Sequence, residues 1–339
     1  MIKVFSLFSG VGGFELGLKN SNIEFKVIGF SEIDKYASQV LEKHFKGIKN
    51  YGDVKKIRTE ELPKFDLLVG GFPCQSFSNA GRGKGFDDTR GTLFFEIARI
   101  LKDKKPKHFI LENVKGLLSN KNGSTFQTIL RILSNLGYIV EWEVLNSKNF
   151  GVPQSRERVY FVGHLRGKSK PKVFSLTKGS KVSETSRKKK RQGNSEISST
   201  ITSNYKRGTY AGGEQYIIEK NSSQPNTKTD LYKVKEATIK GYAIARKGDS
   251  INLSVPNSKT RRGRVGKQIA QILDTATQQY TIDKTQIRRL TPIECERLQG
   301  FPDNWTEGLS DTQRYKCLGN AVTTNVIEWI AKQLYKEVQ

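Results

Sequence analysis

The chain of 339 residues is 35% hydrophobic, enough to bury a core, and its length suits two domains better than one. Lys and Arg number 58 against 33 Asp and Glu, a formal charge of +25, which points to a polyanionic partner, nucleic acid, held with an affinity that falls steeply as salt rises. Three cysteines without paired spacing argue against a disulfide framework, three histidines (His44, His108, His164) at no ligand spacing argue against a metal centre, and the lack of a leader or a long uncharged apolar run predicts a cytoplasmic protein without a membrane span.

Ile2 to Phe8 reads as a first strand that runs into Ser9-Gly10-Val11-Gly12-Gly13 and a helix over Phe14 to Lys19. Such a turn lets a ligand approach backbone N–H groups at a helix N-terminus. The glycines depart from G-x-G-x-x-G, because Glu15 stands where the third is needed, and this weighs against a dinucleotide enzyme. Val27 to Phe30 is extended and is followed by Glu32, at the position where a carboxylate in a doubly wound sheet accepts hydrogen bonds from ribose hydroxyls. Asp34 to Phe45 reads as helix, and Asp53 in Gly52-Asp53-Val54 stands at a third strand end. A nucleoside without phosphates fits this set.

Asp66-Leu67-Leu68-Val69 leads into Gly70-Gly71-Phe72-Pro73-Cys74-Gln75-Ser76-Phe77-Ser78, so Cys74 lies on a Pro-bearing turn just past a buried strand. A thiol so placed is presented to a substrate and is the candidate nucleophile, although burial as a small hydrophobe is the commoner fate of a free Cys. Leu93, Phe94, Ile97, Ile100 and Leu101 repeat at one-face helical spacing before Pro106. Phe109 to Leu111 returns to strand and ends on Glu112-Asn113-Val114, where burial would keep the Glu112 carboxyl protonated as an acid. Thr125 to Leu136 is helical. Gln154-Ser155-Arg156-Glu157-Arg158 enters a strand over Val159 to Val162, and a period of two puts Gln154, Arg156 and Arg158 on one face, either a site for a phosphate or base oxygen or a surface charge patch.

After Leu165 the composition shifts to Lys, Ser, Thr, Gly and Asn, with the basic run Arg187 to Arg191 and the cluster Arg261, Arg262, Arg264 and Lys267. Short strand-like pieces (Ser199 to Thr202, Tyr216 to Ile218, Tyr242 to Ala245) predict an irregular, β-rich module with long loops, the alternative being a disordered basic linker. From Ile287 a globular pattern resumes, and Asn325 to Val338 is an amphipathic last helix. Cys295 and Cys317 are assigned to the core or the domain junction, with no chemistry.

Taken in order, Phe8-Ser9-Gly10-Val11-Gly12-Gly13-Phe14, Gly71-Phe72-Pro73-Cys74-Gln75-Ser76-Phe77-Ser78 with Arg90-Gly91-Thr92-Leu93-Phe94, Glu112-Asn113-Val114, Gln154-x-Arg156-x-Arg158, Arg289-Leu290-Thr291-Pro292-x-Glu294-Cys295-x-Arg297-Leu298-Gln299-Gly300-Phe301-Pro302 and Gly319-Asn320-Ala321-Val322 form a recognisable series. The chain resembles the C5-cytosine DNA methyltransferases of the bacterial restriction-modification type, over about residues 1–164 and 288–339. The resemblance implies a Rossmann-like α/β domain with a mainly parallel sheet over 1–164 and 288–339, and a smaller irregular β-rich target-recognition domain over 165–287. It implies S-adenosylmethionine as cofactor, S-adenosylhomocysteine as product, and no metal. Phe8, Ser9, Gly10, Gly12, Gly13, Glu32, Asp53, Leu93, Asn320 and Ala321 would surround the cofactor, with Ile33 and Val54 about the adenine.

By the same resemblance Cys74 adds to cytosine carbon 6, Glu112 acts at ring N3, Arg158 lies near O2 with Arg156 beside it, and Pro73 and Asn113 shape the pocket. The target base is flipped out of the duplex. Residues 78–90, with Gly81, Gly83 and Gly85 as hinges, form the candidate lid. Candidate DNA contacts are Gln75, Ser78, Arg90, Thr200, Thr202, Lys206, Arg207, Arg261, Arg262 and Arg264. Thr200-Ile201-Thr202 and Ile272-Leu273-Asp274-Thr275 are alternative reading segments. The expected partner is double-stranded DNA and the expected state a monomer; a cognate endonuclease sharing the site without stable binding, a phage origin and a solitary methylase all suit the sequence. Competing readings are a tRNA cytosine-5 methyltransferase of the DNA-methyltransferase-like group, a catalytically silent DNA-binding protein, and a NAD enzyme.

Overall fold

The computed structural model describes residues 1–73, 93–167, 173–174, 217–220, 231–253, 260, 262–275, 279–283 and 286–336. In chain order its strands are β1 (Ile2–Leu7), β2 (Phe25–Ser31), β3 (Leu67–Gly71), β4 (His108–Val114), β5 (Tyr138–Asn146), β6 (Glu157–Leu165), β7 (Ile217–Lys220), β8 (Tyr232–Lys235), β9 (Tyr242–Ala245), β10 (Ser250–Asn252), β11 (Val265–Gly266), β12 (Gln279–Asp283) and β13 (Gln286–Arg289). The helices are α1 (Gly13–Asn20), α2 (Lys35–His44), α3 (Leu93–Lys104), α4 (Ser124–Asn135), α5 (Pro292–Leu298), α6 (Asp311–Asn320) and α7 (Thr324–Leu334). Two compact units result: residues 1–146, 157–179 and 321–339 form one, and 147–156 with 180–320 the other.

The first unit is built on a six-stranded sheet in the order β2-β1-β3-β4-β6-β5. β2, β1, β3 and β4 pair in parallel, while β6 runs antiparallel to both β4 and β5. The apolar runs that identify β1, β3 and β4 are buried almost throughout, as parallel strands covered on both faces require, and Phe5, Leu68, Phe109, Leu111 and Phe161 share one core with Ile97 and Leu101 of α3. α2 begins where the sequence supplies a cap, the Asp34 carboxylate accepting from the N–H groups of Tyr36 and Ala37 at 2.9 and 3.1 Å. The last helix returns to the first: a Cβ on Gly17 of α1 would stand 2.6 Å from Cβ of Ile327 in α7, so only glycine permits that approach.

The second unit holds two antiparallel sheets, β7-β8-β9 and β11-β10-β12-β13, around Tyr232, Val234, Ala245, Ile251, Leu253 and Ile282. The β-rich reading of the middle module is met by these sheets, and β9 covers the predicted Tyr242 to Ala245. α5 starts at a reciprocal cap: the Thr291 hydroxyl accepts from the Glu294 N–H at 3.2 Å, the Glu294 carboxylate accepts from the Thr291 N–H at 2.8 Å, and Pro292 follows in the first turn. Cys295 and Cys317 are both buried, and burial pushes the Cys295 thiol well above its usual range.

Candidate active site

The C-terminal ends of the four parallel strands carry the residues singled out on sequence. At the end of β1 the backbone turns sharply: Phe8 has φ 53°, Gly10 φ 56° and Gly12 φ 85°, and the left-handed conformation favours glycine at the last two positions. A Cβ on Gly10 would meet nothing within 4 Å, so this stretch of backbone borders open space. Glu32, just past β2, closes the turn from the side, its Oε2 accepting from the Gly10 N–H at 2.7 Å and its Oε1 from the N–H groups of Ile33 and Asp34 at 2.9 and 2.8 Å. A carboxylate offers about four lone-pair sites, so acceptor capacity remains for a ligand hydroxyl. Ile33 beside it is 75% exposed, an apolar surface next to an acid, whereas Val54 is buried in the core.

Ser9 is buried and donates to the Ser6 hydroxyl at 2.9 Å, and Gly13 opens α1. Asp53 caps a short 3-10 turn over Val54–Lys56, its carboxylate accepting from the Lys55 N–H at 3.0 Å. Leu93 opens α3. Asn320 ends α6 in the second unit, and Ala321 begins the last segment of the first. A nucleoside cofactor fits this donor set, with open glycine backbone, a carboxylate and an exposed aliphatic face on neighbouring strand ends.

One strand further along, Gly71 of β3 is in register with Glu112 of β4. A Cβ at Gly71 would lie 3.1 Å from Glu112 Oε2, so the glycine leaves room for the carboxylate. Arg158 of β6 faces the same carboxylate, Nε to Oε1 at 3.1 Å, with the two side chains 11% and 12% exposed. Glu112 therefore sits opposite a guanidinium where the sequence reading supplied only an apolar strand end. Asn113 is buried and donates from Nδ2 to the Phe72 carbonyl at 2.9 Å, while its Oδ1 accepts from the Val114 N–H at 2.8 Å. This fixes the backbone immediately before Pro73, which is exposed. Cys74, Gln75, Ser78, Arg90 and the candidate lid of residues 78–90 lie outside the described residues.

Arg156 is placed differently from Arg158. It is buried in the second unit, where its guanidinium donates to the Gly319 carbonyl at 3.2 and 3.3 Å and to the Leu273 carbonyl at 3.4 Å. Gln154 works beside it, donating to the Leu298 carbonyl at 2.9 Å and accepting from the Leu273 N–H at 3.3 Å. Both side chains hold the Ile272-Leu273-Asp274-Thr275 segment, and Gly319 meets it closely, since a Cβ there would be 2.5 Å from the Asp274 carbonyl oxygen. Of the expected DNA contacts, Arg262 is exposed and donates to the Ala237 carbonyl at 2.8 Å, and Arg264 is buried with its guanidinium on the Asn252 carbonyl at 3.4 Å. Thr200, Thr202, Lys206, Arg207 and Arg261 lie outside the described residues.

Glu15 was missed as a notable group. It is 1% exposed in the first turn of α1 with no hydrogen-bond partner on either carboxylate oxygen, and burial raises its pKa from 4.5 to about 7, aided by the like charge of Glu32. Its spacing was a signal: Val11, Glu15 and Leu18 recur at i, i+4 and i+7, the pattern of an inward helix face. No cluster of His, Cys, Asp and Glu suited to a metal occurs among the described residues, and none of their helices is long and apolar enough to cross a membrane.

A mainly parallel α/β sheet with a glycine turn and flanking carboxylate at its strand ends defines the class as a nucleoside-cofactor enzyme fold. Residues 2–336 match the family model of the C-5 cytosine-specific DNA methylases. Among curated proteins the chain is 37% identical over 349 aligned positions to the Type II methyltransferase M1.ScrFI of Lactococcus lactis subsp. cremoris, covering 99% of this chain and 79% of that protein. It is 33% identical to the orphan methyltransferase M.SPRI of Bacillus phage SPR, covering 98% and 97%. Among solved structures the S. pombe Dnmt2 methyltransferase has the same fold, with a TM-score of 0.65 at 16% identity and full coverage of both chains. The chain belongs to the C-5 cytosine-specific DNA methylases and is a DNA (cytosine-5-)-methyltransferase. The family implies S-adenosylmethionine as the methyl donor.

Proposed function

We propose that this chain methylates carbon 5 of a flipped-out cytosine within a short duplex site, as the modification half of a restriction-modification system. The observation that carries the reading is the Asn113 side chain bound to the Phe72 carbonyl at 2.9 Å, next to the Glu112–Arg158 pair at 3.1 Å. The Asn113 contact sets the backbone two residues before Cys74, and the carboxylate and guanidinium on the adjoining strand ends support roles for Glu112 and Arg158 at the base ring. Residues 1–164 and 288–339 serve catalysis and cofactor binding, and 165–287 serve target recognition, a functional division distinct from the packing units. Phe8, Ser9, Gly10, Gly12, Gly13, Glu32, Ile33, Asp53, Val54, Leu93, Asn320 and Ala321 contribute to the cofactor site.

Carbon 5 of cytosine is a weak nucleophile, and addition of a thiolate at carbon 6 converts the ring to an enamine that is a stronger one. The Cys74 thiolate makes that bond, Glu112 holds a proton or hydrogen bond at ring N3, and Arg158 donates to O2. S-adenosylmethionine would supply the methyl group to carbon 5 from its sulfonium, whose C–S bond breaks to release S-adenosylhomocysteine. Loss of the carbon 5 proton then expels the Cys74 thiolate and restores the aromatic ring. Flipping the base costs a few kcal/mol of unstacking and unpairing, offset by contacts from the recognition part. Double-stranded DNA is the partner of a monomer acting in the cytoplasm at the nucleoid, and any cognate endonuclease shares the site without a stable complex.

The test is base-resolution methylation mapping of unmethylated DNA of diverse sequence incubated with the protein and S-adenosylmethionine, with Cys74→Ser as control. Methylcytosine at one short motif, absent with Cys74→Ser, is the expected result. Undiminished transfer by Cys74→Ser would remove that thiol from the mechanism, and methylation of tRNA in place of DNA would overturn the duplex reading.

A further inference from the structure

Among the described residues of the second unit, one large apolar side chain is held entirely in solvent: Ile239 is 108% exposed. It lies at the tip of the β8–β9 hairpin, where the Gly241 N–H donates to the Thr238 carbonyl at 2.9 Å and closes a four-residue turn with Ile239 and Lys240 as its central pair. Turns of this kind favour Gly, Pro, Asn, Asp and Ser at their centre, so turn chemistry gives no reason for a β-branched aliphatic residue there.

The pedestal beneath it is tied down. The Glu236 carboxylate, on a residue 9% exposed, accepts from the Arg264 and Val265 N–H groups through Oε1 at 2.6 and 3.2 Å, and from the Gly263 N–H through Oε2 at 3.2 Å. Arg262 Nε donates to the Ala237 carbonyl at 2.8 Å, one residue before the turn. The tip is also cationic, since Lys235, Lys240 and Arg262 are all exposed. An apolar point on an anchored two-stranded ribbon, ringed by positive charge, matches a duplex groove: phosphates flank base edges there, and the major groove is wide enough for such a ribbon.

We propose that Ile239 enters the major groove of duplex DNA and packs on base edges of the recognition site, with Lys240 on a neighbouring phosphate. This rests on reading residues 165–287 as the target-recognition part. The test is fluorescence anisotropy of the full chain with a fluorescein-labelled duplex that carries the methylated motif and with a shuffled duplex, at several NaCl concentrations, for wild type, Ile239→Ser and Lys240→Ala. Ile239→Ser is expected to weaken binding of the motif duplex about tenfold, to leave the shuffled duplex unaffected, and to keep the salt slope, because an apolar contact releases no counterions. Lys240→Ala is expected to weaken both duplexes alike and to lower the salt slope by about one. Unchanged thermal unfolding and S-adenosylhomocysteine binding by calorimetry confirm that Ile239→Ser is folded. Wild-type affinity in Ile239→Ser, or equal loss on both duplexes, overturns the role of the tip while target recognition stands. A wild-type protein that does not discriminate the two duplexes overturns the recognition reading and this one with it.

Discussion

Replacing Glu15 by Gln keeps the shape of a fully buried side chain and removes its titration. The folded pKa is raised from 4.5 to about 7, first by burial, so the folded protein holds a proton that the unfolded chain has released over that interval. The resulting stability is fully present below about pH 4.5 and is lost as pH rises through about 7. A difference of about 2.5 pH units at about 1.36 kcal/mol each corresponds to about 3 kcal/mol. Glu15→Gln should match the wild type near pH 5 and exceed it at pH 8 by about 2–3 kcal/mol. The assay is urea unfolding at a series of pH values, followed by tryptophan fluorescence, since Trp142 and Trp329 both lie in the first unit with Glu15. The two proteins must be compared at each pH because His108 slopes the opposite way. Burial, with the charges of His164 and Lys107, lowers its pKa from 6.5 to about 4, so its contribution is present above 6.5 and is lost as pH falls toward 4. A difference between Glu15→Gln and wild type that stays constant from pH 5 to pH 8 would refute the reasoning.

Arg158→Ala removes the guanidinium that faces the Glu112 carboxylate at 3.1 Å in a largely buried site, so a loss of about 2–4 kcal/mol in unfolding free energy is expected, with a coupling above about 1 kcal/mol in a cycle with Glu112→Gln; additive effects would show that the pair is not an energetic unit. Asn113→Ala strands the Phe72 carbonyl and should cost about 1–3 kcal/mol by urea denaturation, together with a fall in kcat larger than any change in cofactor affinity. Gly319→Ala sets a methyl group 2.5 Å from the Asp274 carbonyl oxygen and 2.8 Å from the Thr275 nitrogen. Because those atoms are backbone, a loss of about 1–3 kcal/mol and weaker DNA binding are expected, and a wild-type melting temperature would count against the close approach.

Local patterns were legible wherever the deciding contact is near in sequence. Asp34 caps α2 two and three residues ahead, Thr291 and Glu294 cap α5 reciprocally, and Gly10 and Gly12 in the turn after β1 take the positive φ values that glycine accommodates. β5 over Tyr138–Asn146 was passed over although Val140, Trp142 and Val144 alternate with Glu141 and Glu143, a period of two in plain view. Gln154 and Arg156 had the right composition for a polar site, but their partners at Leu273, Leu298 and Gly319 lie 117 to 163 residues away, beyond any local pattern.

The sequence by itself determined the family, the order of strand-end motifs and the identity of the candidate nucleophile, because each depends on residue types at short spacing. Only the tertiary structure decided that Glu112 faces Arg158, that Asn113 fixes the backbone ahead of Cys74, that Arg156 and Arg264 turn inward while Ile239 turns outward, and that burial raises the Glu15 pKa to about 7. The physical reason is common to all of them. Charge pairing, desolvation and exposure depend on which distant segments surround a side chain, and that is set by packing and not by sequence neighbours.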